Sequence, residues 1–258
     1  MIVFVKAIKR TEKRMNRVIN RIATLAVICM MCSVACAKTY VVSVGVKNYK
    51  NPELNTLHLP VKDAQAVRYV YDKHGDSEVI FLSDANATRD NILTQMRRLY
   101  ARANTNDIIL LFFSGHGYQG GFCVYDGNLS YSSVRNVMAS SRCKNKMIFA
   151  DACFSGQMRQ QKRQSTANQS ELKNLNVLLF LSSRGGETSF EAAGAETGYF
   201  TTALVAAIRG KADKNRDRTI TAKELFDYVS SRVSTDTRGK QHPVMWGKFS
   251  NNMPVIKW

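Results

Sequence analysis

One histidine and one cysteine stand in glycine-containing motifs that suit nucleophilic catalysis. His116 lies in SGHG, directly after the apolar run DIILLFF, and Cys153 lies in DACFSG, directly after the apolar run KMIFA. A thiol beside an imidazole can form the thiolate that attacks an acyl carbon. The two motifs therefore predict a cysteine nucleophile served by a histidine that transfers protons. The alternative is a structural histidine and a small core cysteine.

Gly117 directly follows the histidine, and a residue without a side chain lets the backbone approach a substrate closely. Its N–H and that of Cys153 are candidates for an oxyanion hole, which stabilises charge that appears only in the transition state. Cys123 and Cys143 lack such a setting. They are predicted to be buried thiols, with one disulfide between them as the alternative.

The elements that must position these residues alternate between strands and amphipathic helices, which predicts a parallel-rich α/β sheet covered on both faces. Because the carboxyl ends of parallel strands share one sheet edge, His116 and Cys153 are expected to be neighbours although they stand 37 residues apart. The predicted strands are 39–46, 78–82, 107–113, 146–150, 177–181 and a final edge strand at 243–249, with a hairpin arm at 122–125. The predicted helices are 61–74, 92–103 with Thr88 as N-cap, 130–141, 198–209 and 221–233.

The first 37 residues have the layout of a secretory signal peptide. A basic segment precedes an apolar run at 22–35, and Ala35 and Ala37 supply the small residues before a cut at Lys38. The apolar run is shorter than the roughly 20 residues of a membrane-spanning helix. An uncleaved anchor is one alternative. A second is lipid attachment at Cys36, since SVAC is similar to a bacterial lipobox. We therefore expect an exported protein, with membrane contact only if Cys36 is lipidated.

Composition and charge narrow the class of protein. The 258 residues are 45% hydrophobic and 22% charged, which excludes collagen-like and wholly disordered chains. After residue 37, thirty basic and nineteen acidic residues remain, so the predicted mature chain carries +11. Polyanion binding is therefore one functional alternative. Zinc-finger spacing and aromatic-basic RNA motifs are absent from the sequence, so no specific nucleic-acid partner is predicted.

Several segments together resemble a known family, the caspase-like cysteine peptidases, and most closely its bacterial metacaspase-like members. They are YVVSVGV, LPVKDA, IILLFFSGHG, MIFADACFSG, LLFLSS, GYFTTAL and QHPVMWG, which extend from about Lys38 to the C-terminus. The resemblance implies a three-layer sandwich with a mostly parallel central sheet and helices on both faces. It implies a peptidase domain at 38–258, which follows the signal predicted at 1–37, and a monomer. The chain departs from caspases at Asp151, where they have Gln, and from many metacaspases at Phe154, where His is common.

The resemblance also implies an activity and a specificity. Cys153 and His116 would form and hydrolyse an acyl-enzyme, with no cofactor required. In metacaspase-like enzymes two acidic residues line the specificity pocket, and they match Asp63 and Asp151 here. Two carboxylates favour Arg or Lys in a protein or peptide substrate and disfavour Asp. A helix-terminal charge is the alternative for Asp63, and a structural role is the alternative for Asp151. A non-catalytic scaffold is the alternative for the whole domain.

Residues 157–172 are rich in Gln, Ser and basic side chains without periodicity, which predicts a mobile loop between two core strands. Relatives are often cleaved after the nucleophile, and Arg159, Lys162 and Arg163 would suit the enzyme's own basic preference. Self-processing is therefore one hypothesis. A solvated surface loop is the alternative.

A second motif has the spacing of an EF-hand calcium loop. Asp213, Asn215, Asp217 and Glu224 occupy positions 1, 3, 5 and 12, but Arg218 replaces the expected glycine. Calcium is thus the one metal that the sequence leaves open. The alternative is a loop whose side chains cap backbone turns. A third catalytic residue beside His116 and Cys153 is not predicted.

Overall fold

The computed structural model describes residue 15 and residues 37–73, 76–118, 120–153, 177–183 and 196–258, with the backbone alone at Cys153. The chain divides into residues 1–36 and residues 37–258, and the second unit contains all the elements described below. Most of the predicted signal segment, with Cys36, lies outside the described residues, as do Phe154 and the predicted loop with Arg159, Lys162 and Arg163. In the described part of the chain, no helix has the length and apolar character needed to cross a bilayer.

A central sheet organises residues 37–258. Its main strands lie in the order β2-β1-β3-β6-β7-β9, with the first five parallel and the last antiparallel to its neighbour. This confirms the predicted mostly parallel sheet. Their bounds are Thr39–Gly45 for β1, Ser77–Ser83 for β2, Ile108–Tyr118 for β3, Asn145–Cys153 for β6, Leu178–Leu181 for β7 and Val244–Trp246 for β9.

Helices cover both faces of this sheet, as predicted. One hydrophobic core lies beneath α1 (Pro60–Lys73), α4 (Tyr199–Ala206) and α5 (Ala222–Asp236), and the other lies beneath α2 (Arg89–Tyr100) and α3 (Tyr131–Ala139). Successive side chains of β3 lie in the two cores in turn, because side chains along a strand point to opposite faces of the sheet. The run IILLFF is therefore apolar throughout, since neither of its faces meets water.

The two strands that carry the catalytic motifs are longer than predicted. β3 continues past Phe113 to Tyr118, and β6 continues past Ala150 to Cys153. The polar ends of these strands pair with each other, and β3 then turns into a hairpin with β4 (Gly121–Val124), which pairs with β5 (Gly127–Ser130). The apolar pattern stops earlier because the residues that extend the strands are polar or small, although Ser114 and Asp151 are buried there. SGHG and DAC therefore lie inside the strands rather than beyond their ends.

The last part of the chain differs from the sequence-based prediction. β9 is an edge strand as predicted, but it is not the final strand, because β10 (Pro254–Lys257) pairs antiparallel with β8 (Thr219–Thr221) in a separate small sheet. β8 lies within the segment interpreted as an EF-hand-like loop, and β10 follows the strand predicted to be the last. Burial of Ile220, Val255 and Ile256 in the core beneath α1, α4 and α5 is what holds them.

Candidate active site

His116 and Cys153 stand at matching positions of neighbouring strands. β3 and β6 run parallel through nine register pairs, from Ile108 with Asn145 to His116 with Cys153. The last pair lies at the carboxyl edge of the sheet, where ligands bind in open α/β sheets. The structure therefore brings the backbones of the two predicted catalytic residues side by side.

The imidazole of His116 contacts a backbone carbonyl that the sequence analysis did not identify. Its Nε2 lies 2.8 Å from the carbonyl oxygen of Asn55. A carbonyl only accepts hydrogen bonds, so this contact places a proton on Nε2 and leaves Nδ1 as the proton acceptor of the neutral ring. Asn55 is thus the third partner of the site, and it acts through its main chain. Side-chain type cannot reveal such a partner, because every residue has a carbonyl.

Tyr49 holds the same histidine from a second side. Its hydroxyl accepts a hydrogen bond from the backbone N–H of His116 and donates one to the carbonyl of Val46, both at 2.8 Å. The two rings lie with their centroids 5.1 Å apart. Burial raises the pKa of the Tyr49 hydroxyl well above its ordinary value, so it stays neutral and keeps both bonds.

Gly115 makes room for this tyrosine. Its φ of +153° lies in a region that side-chain-bearing residues rarely adopt, and a Cβ there would lie 2.9 Å from the Tyr49 hydroxyl and 3.1 Å from the carbonyl oxygen of Val46. The glycine before His116 is therefore required by the close approach of Val46 and Tyr49 to β3. Gly117, after the histidine, is buried and lies opposite Phe122 of β4. Its place in an oxyanion hole stays a prediction.

Asp84 anchors the loop that carries Tyr49 and Asn55. Its Oδ1 accepts hydrogen bonds from the backbone N–H groups of Lys47 and Asn48, both at 3.0 Å. The other end of the loop returns to the same place, because the N–H of Leu57 donates to the carbonyl of Lys47 at 3.0 Å. The loop after β1 is thereby closed on itself beside His116.

Asp63 and Asp151 converge on Gly198, the residue that precedes α4. Asp63 lies in the first turn of α1 and is 3% exposed, and Asp151 lies in β6 and is 8% exposed. The N–H of Gly198 donates to Asp63 Oδ1 at 2.9 Å. A Cβ on Gly198 would lie 2.7 Å from Asp151 Oδ2 and 3.8 Å from Asp63 Oδ2. The predicted acidic pair is therefore brought together around one residue that has no side chain.

Neighbouring hydroxyl groups fix the orientation of both carboxylates. Ser114, the register partner of Asp151, donates from its Oγ to Asp63 Oδ2 at 2.8 Å. Thr201 donates its hydroxyl to Asp151 Oδ2 at 2.9 Å and its N–H to the same oxygen at 3.3 Å. The serine that opens SGHG thus connects the histidine strand to the acidic pair. Asp63 makes these contacts from the first turn of α1, and its role in a specificity pocket stays a prediction.

The two other cysteines of residues 37–258 are buried free thiols, as predicted. Burial raises the pKa of Cys123 and of Cys143 to about 11. The Sγ of Cys143 donates to the carbonyl of Asp107 at 2.9 Å. At neutral pH both groups are protonated, so neither is a ready nucleophile.

The EF-hand-like loop is held by its own backbone. Side-chain oxygens of Asp213, Asn215 and Asp217 each accept a bond from an N–H further along the loop, at 2.8 to 3.1 Å. Glu224 forms a capping box with Thr221 at the start of α5. The described residues contain no group of three or more His, Cys, Asp or Glu side chains placed to hold a metal ion. The side chains of this loop thus cap backbone N–H groups, and calcium binding stays a prediction of the sequence.

Comparisons with known proteins agree with this architecture. The chain is similar to a protein from Geobacter sulfurreducens whose crystal structure is known. The superposition includes 86% of this chain and 97% of that chain, with a TM-score of 0.64 and 16% sequence identity. On caspase-1 from Spodoptera frugiperda it superimposes over 82% of its own length and 86% of that chain, with a TM-score of 0.60 and 15% identity. No curated protein matches by sequence.

A family profile, that of the caspase domain of the C14 peptidases, matches residues 38–253. The match covers SGHG, DACFSG, Asp63, Asp151 and every strand of the central sheet. The chain therefore belongs to the caspase domain family.

Proposed function

We propose that this protein is a cysteine endopeptidase that cleaves after Arg or Lys, with Cys153 as nucleophile and His116 as proton carrier. One observation carries the proposal: the last register pair of β3 and β6 joins His116 to Cys153, two residues beyond the Asp151 that meets Asp63 at Gly198. Nucleophile, base and a recognition pocket for a cation thus share one edge of the sheet.

The chemistry needs two half-reactions. His116 Nδ1 takes the proton of the Cys153 thiol, and the thiolate forms a bond to the carbonyl carbon of the substrate. The C–N bond breaks and the amine leaves with the proton from His116, giving an acyl-enzyme. A water then gives a proton to the same nitrogen and bonds to the acyl carbon, the C–S bond breaks, and the Cys153 sulfur takes the proton back from His116. The Asn55 carbonyl accepts from Nε2 at 2.8 Å and so stabilises the imidazolium that forms in each half. Tyr49 keeps the strand segment and the ring in place.

Charge on the tetrahedral intermediate needs hydrogen-bond donors. The N–H groups of Gly117 and Cys153 belong to neighbouring strands. Cys153 is a member of the last register pair, and Gly117 is the next residue after its partner His116. Loss of one such donor costs about 10²- to 10³-fold in kcat in other enzymes. We assign the oxyanion hole to these two groups.

The acidic pair accounts for a basic preference. A guanidinium can bind a carboxylate through two parallel hydrogen bonds, and a second carboxylate nearby adds attraction for the same cation. An Asp side chain in that position would meet two like charges in a site shielded from water, and such a juxtaposition costs several kcal/mol. Because Asp63 and Asp151 are 3% and 8% exposed, solvent screens this effect little.

Export, a monomeric state and self-cleavage between residues 157 and 172 accompany the proposal. The basic residues Arg159, Lys162 and Arg163 match the preference assigned to the pocket. Purification of Cys153→Ala tests self-cleavage: this protein should stay intact in the loop, whereas a cut in the purified variant would contradict processing by its own site. Lipid on Cys36 would make the protein membrane-bound, and mass spectrometry of the exported protein detects it.

The experiment that tests the proposal is a panel of fluorogenic peptides ending in Arg, Lys or Asp, incubated with residues 38–258 in calcium and in chelator. Cleavage after Arg or Lys is expected. Cleavage after Asp would retain the nucleophile but contradict the acidic pocket. The absence of all cleavage, together with no labelling by a thiol-reactive peptide analogue, would favour the non-catalytic scaffold.

A further inference from the structure

Asp107 is a buried carboxylate at the opposite end of β3 from His116. It is 7% exposed and directly precedes the strand. Two donors among the described residues bind its carboxylate: the backbone N–H of Lys38 reaches Oδ1 at 3.0 Å, and that of Asn104 reaches Oδ2 at 2.6 Å. Both donors are neutral amides. A buried carboxylate is costly without a cationic partner, so this site is incomplete in charge as it stands.

The Lys38 donor is the nitrogen that the predicted signal cleavage would release. Cleavage before Lys38 adds water across the bond between the carbonyl carbon of Ala37 and the nitrogen of Lys38. Ala37 leaves as a carboxylate, and the amine of Lys38 takes up a proton. The ordinary pKa of an α-amino group is about 7.7 to 8.0, so at pH 7 this group is mostly a cation.

We propose that Asp107 is the receptor for the α-ammonium of Lys38 in the mature protein, so that signal removal completes a partly buried ion pair that ties β1 to β3. The inference rests on the predicted cleavage site and not on the proposed peptidase activity. The same nitrogen stays in contact with the same oxygen, and only its charge changes. Lys38 already lies beside Asp107 through its main chain, because its carbonyl accepts a hydrogen bond from the N–H of Ile108 at 2.9 Å.

The charges around Lys38 leave Asp107 to the α-ammonium. The side-chain Nζ of Lys38 lies 3.8 Å from Asp76 and 3.7 Å from Glu78, so it is directed to other carboxylates. Arg102 pairs with Glu78 as well. Lys146, whose charge acts on Cys143, directs its Nζ to the carbonyl of Ser141. Tyr40, whose ring lies under Lys38 and Arg102, and the Cys143 thiol, which binds the Asp107 carbonyl, also face this corner. Burial is the largest cause of the raised pKa of both groups, so both stay neutral at pH 7.

The test begins with the full chain. It is expressed in a bacterium with its own leader, and the N-terminus of the exported product is read by mass spectrometry. An N-terminal Lys38 is expected. A product that begins elsewhere, that carries lipid on Cys36 or that keeps the leader would overturn the proposal.

The ion pair is tested on that product and on a protein in which Gly-Ser-Ala37 precedes Lys38. We expect the product beginning at Lys38 to melt about 3 °C higher, since 1 kcal/mol corresponds to about 2–4 °C in a domain of this size. Asp107→Asn should remove this difference, whereas Asp126→Asn, which affects an exposed carboxylate that caps a different N–H, should keep it. Equal melting of the two unsubstituted proteins would overturn the proposal.

A measurement without substitution covers the case in which Asp107→Asn fails to fold. The carboxylate raises the pKa of the α-ammonium, so acetylation of the terminal amine at pH 7 should be about tenfold slower for the product beginning at Lys38 than for the extended protein. Equal rates of acetylation would overturn the ion pair. Neither readout depends on peptide cleavage, so failure here and failure of the proposed peptidase activity are distinguishable.

Discussion

His116 and Cys153 form the last of nine register pairs between two adjacent parallel strands. The hydrogen bonding of the sheet therefore determines that their backbones are adjacent, and no loop conformation is needed to bring them together. An error in this register would move every pair along β3 and β6, where alternate residues enter opposite cores. The hydrophobic pattern of the two strands thus protects the alignment of the two residues that we assign to catalysis.

The hydroxyl of Tyr49 gives a first prediction. Tyr49→Phe leaves the backbone N–H of His116 without its acceptor but keeps the ring contact. We expect kcat on an arginyl peptide to fall about tenfold with little change in KM, because the loss loosens the base and not the pocket. Tyr69→Phe is the matched control, since Tyr69 is 55% exposed and lies on α1. Equal kinetics for the two variants would contradict the positioning role.

The acidic pair gives a second prediction. Asp63→Asn and Asp151→Asn each remove one charge while keeping an oxygen for the neighbouring donors. The ratio of kcat/KM for arginyl over aspartyl peptides should fall at least tenfold in each variant, because one carboxylate less attracts the cation. Asp72→Asn, at an exposed carboxylate of α1, is the control. An unchanged ratio in both pocket variants would place the specificity elsewhere.

Thiol reactivity gives a third prediction. Burial raises the pKa of Cys123 and Cys143 to about 11, so in the folded protein both remain thiols up to that pH. At pH 7.5 iodoacetamide should therefore label Cys153 alone within residues 38–258, as peptide mapping would show. In the unfolded chain the same thiols ionise near 8.5, so their burial stabilises the fold below that pH, and this contribution is lost as pH rises towards 11. Rapid labelling of Cys143 at neutral pH would contradict its burial.

Much of this site could be predicted because its chemistry is carried by side chains beside apolar runs. SGHG and DAC continue the apolar runs of β3 and β6, so parallel pairing of the two strands brings His116 near Cys153. The acidic pair came from the family resemblance, and the structure brings both residues to Gly198. The fold class followed from alternation of strands and helices in the same way.

The residues that were not predicted act through the main chain or through distant contacts. Asn55 offers a carbonyl, and Asp84 binds two backbone N–H groups 36 and 37 residues away. The sequence around Tyr49 contains no motif that marks it as functional. Its contact with the backbone N–H of His116 depends on the packing of its loop against β3. β8 and β10 were not predicted: β8 lies in the segment interpreted as an EF-hand-like loop, and β10 follows the strand predicted to be the last.

The central claim is that Cys153 is the nucleophile of a peptidase with a basic preference. The most direct measurement is cleavage of an arginyl fluorogenic peptide by residues 38–258, by Cys153→Ala and by Cys123→Ala, which replaces a buried thiol of no assigned function. We predict that the unsubstituted protein and Cys123→Ala cleave the peptide and that Cys153→Ala loses at least 10³-fold in rate, since the thiolate supplies the covalent step. Full cleavage by Cys153→Ala would contradict the account.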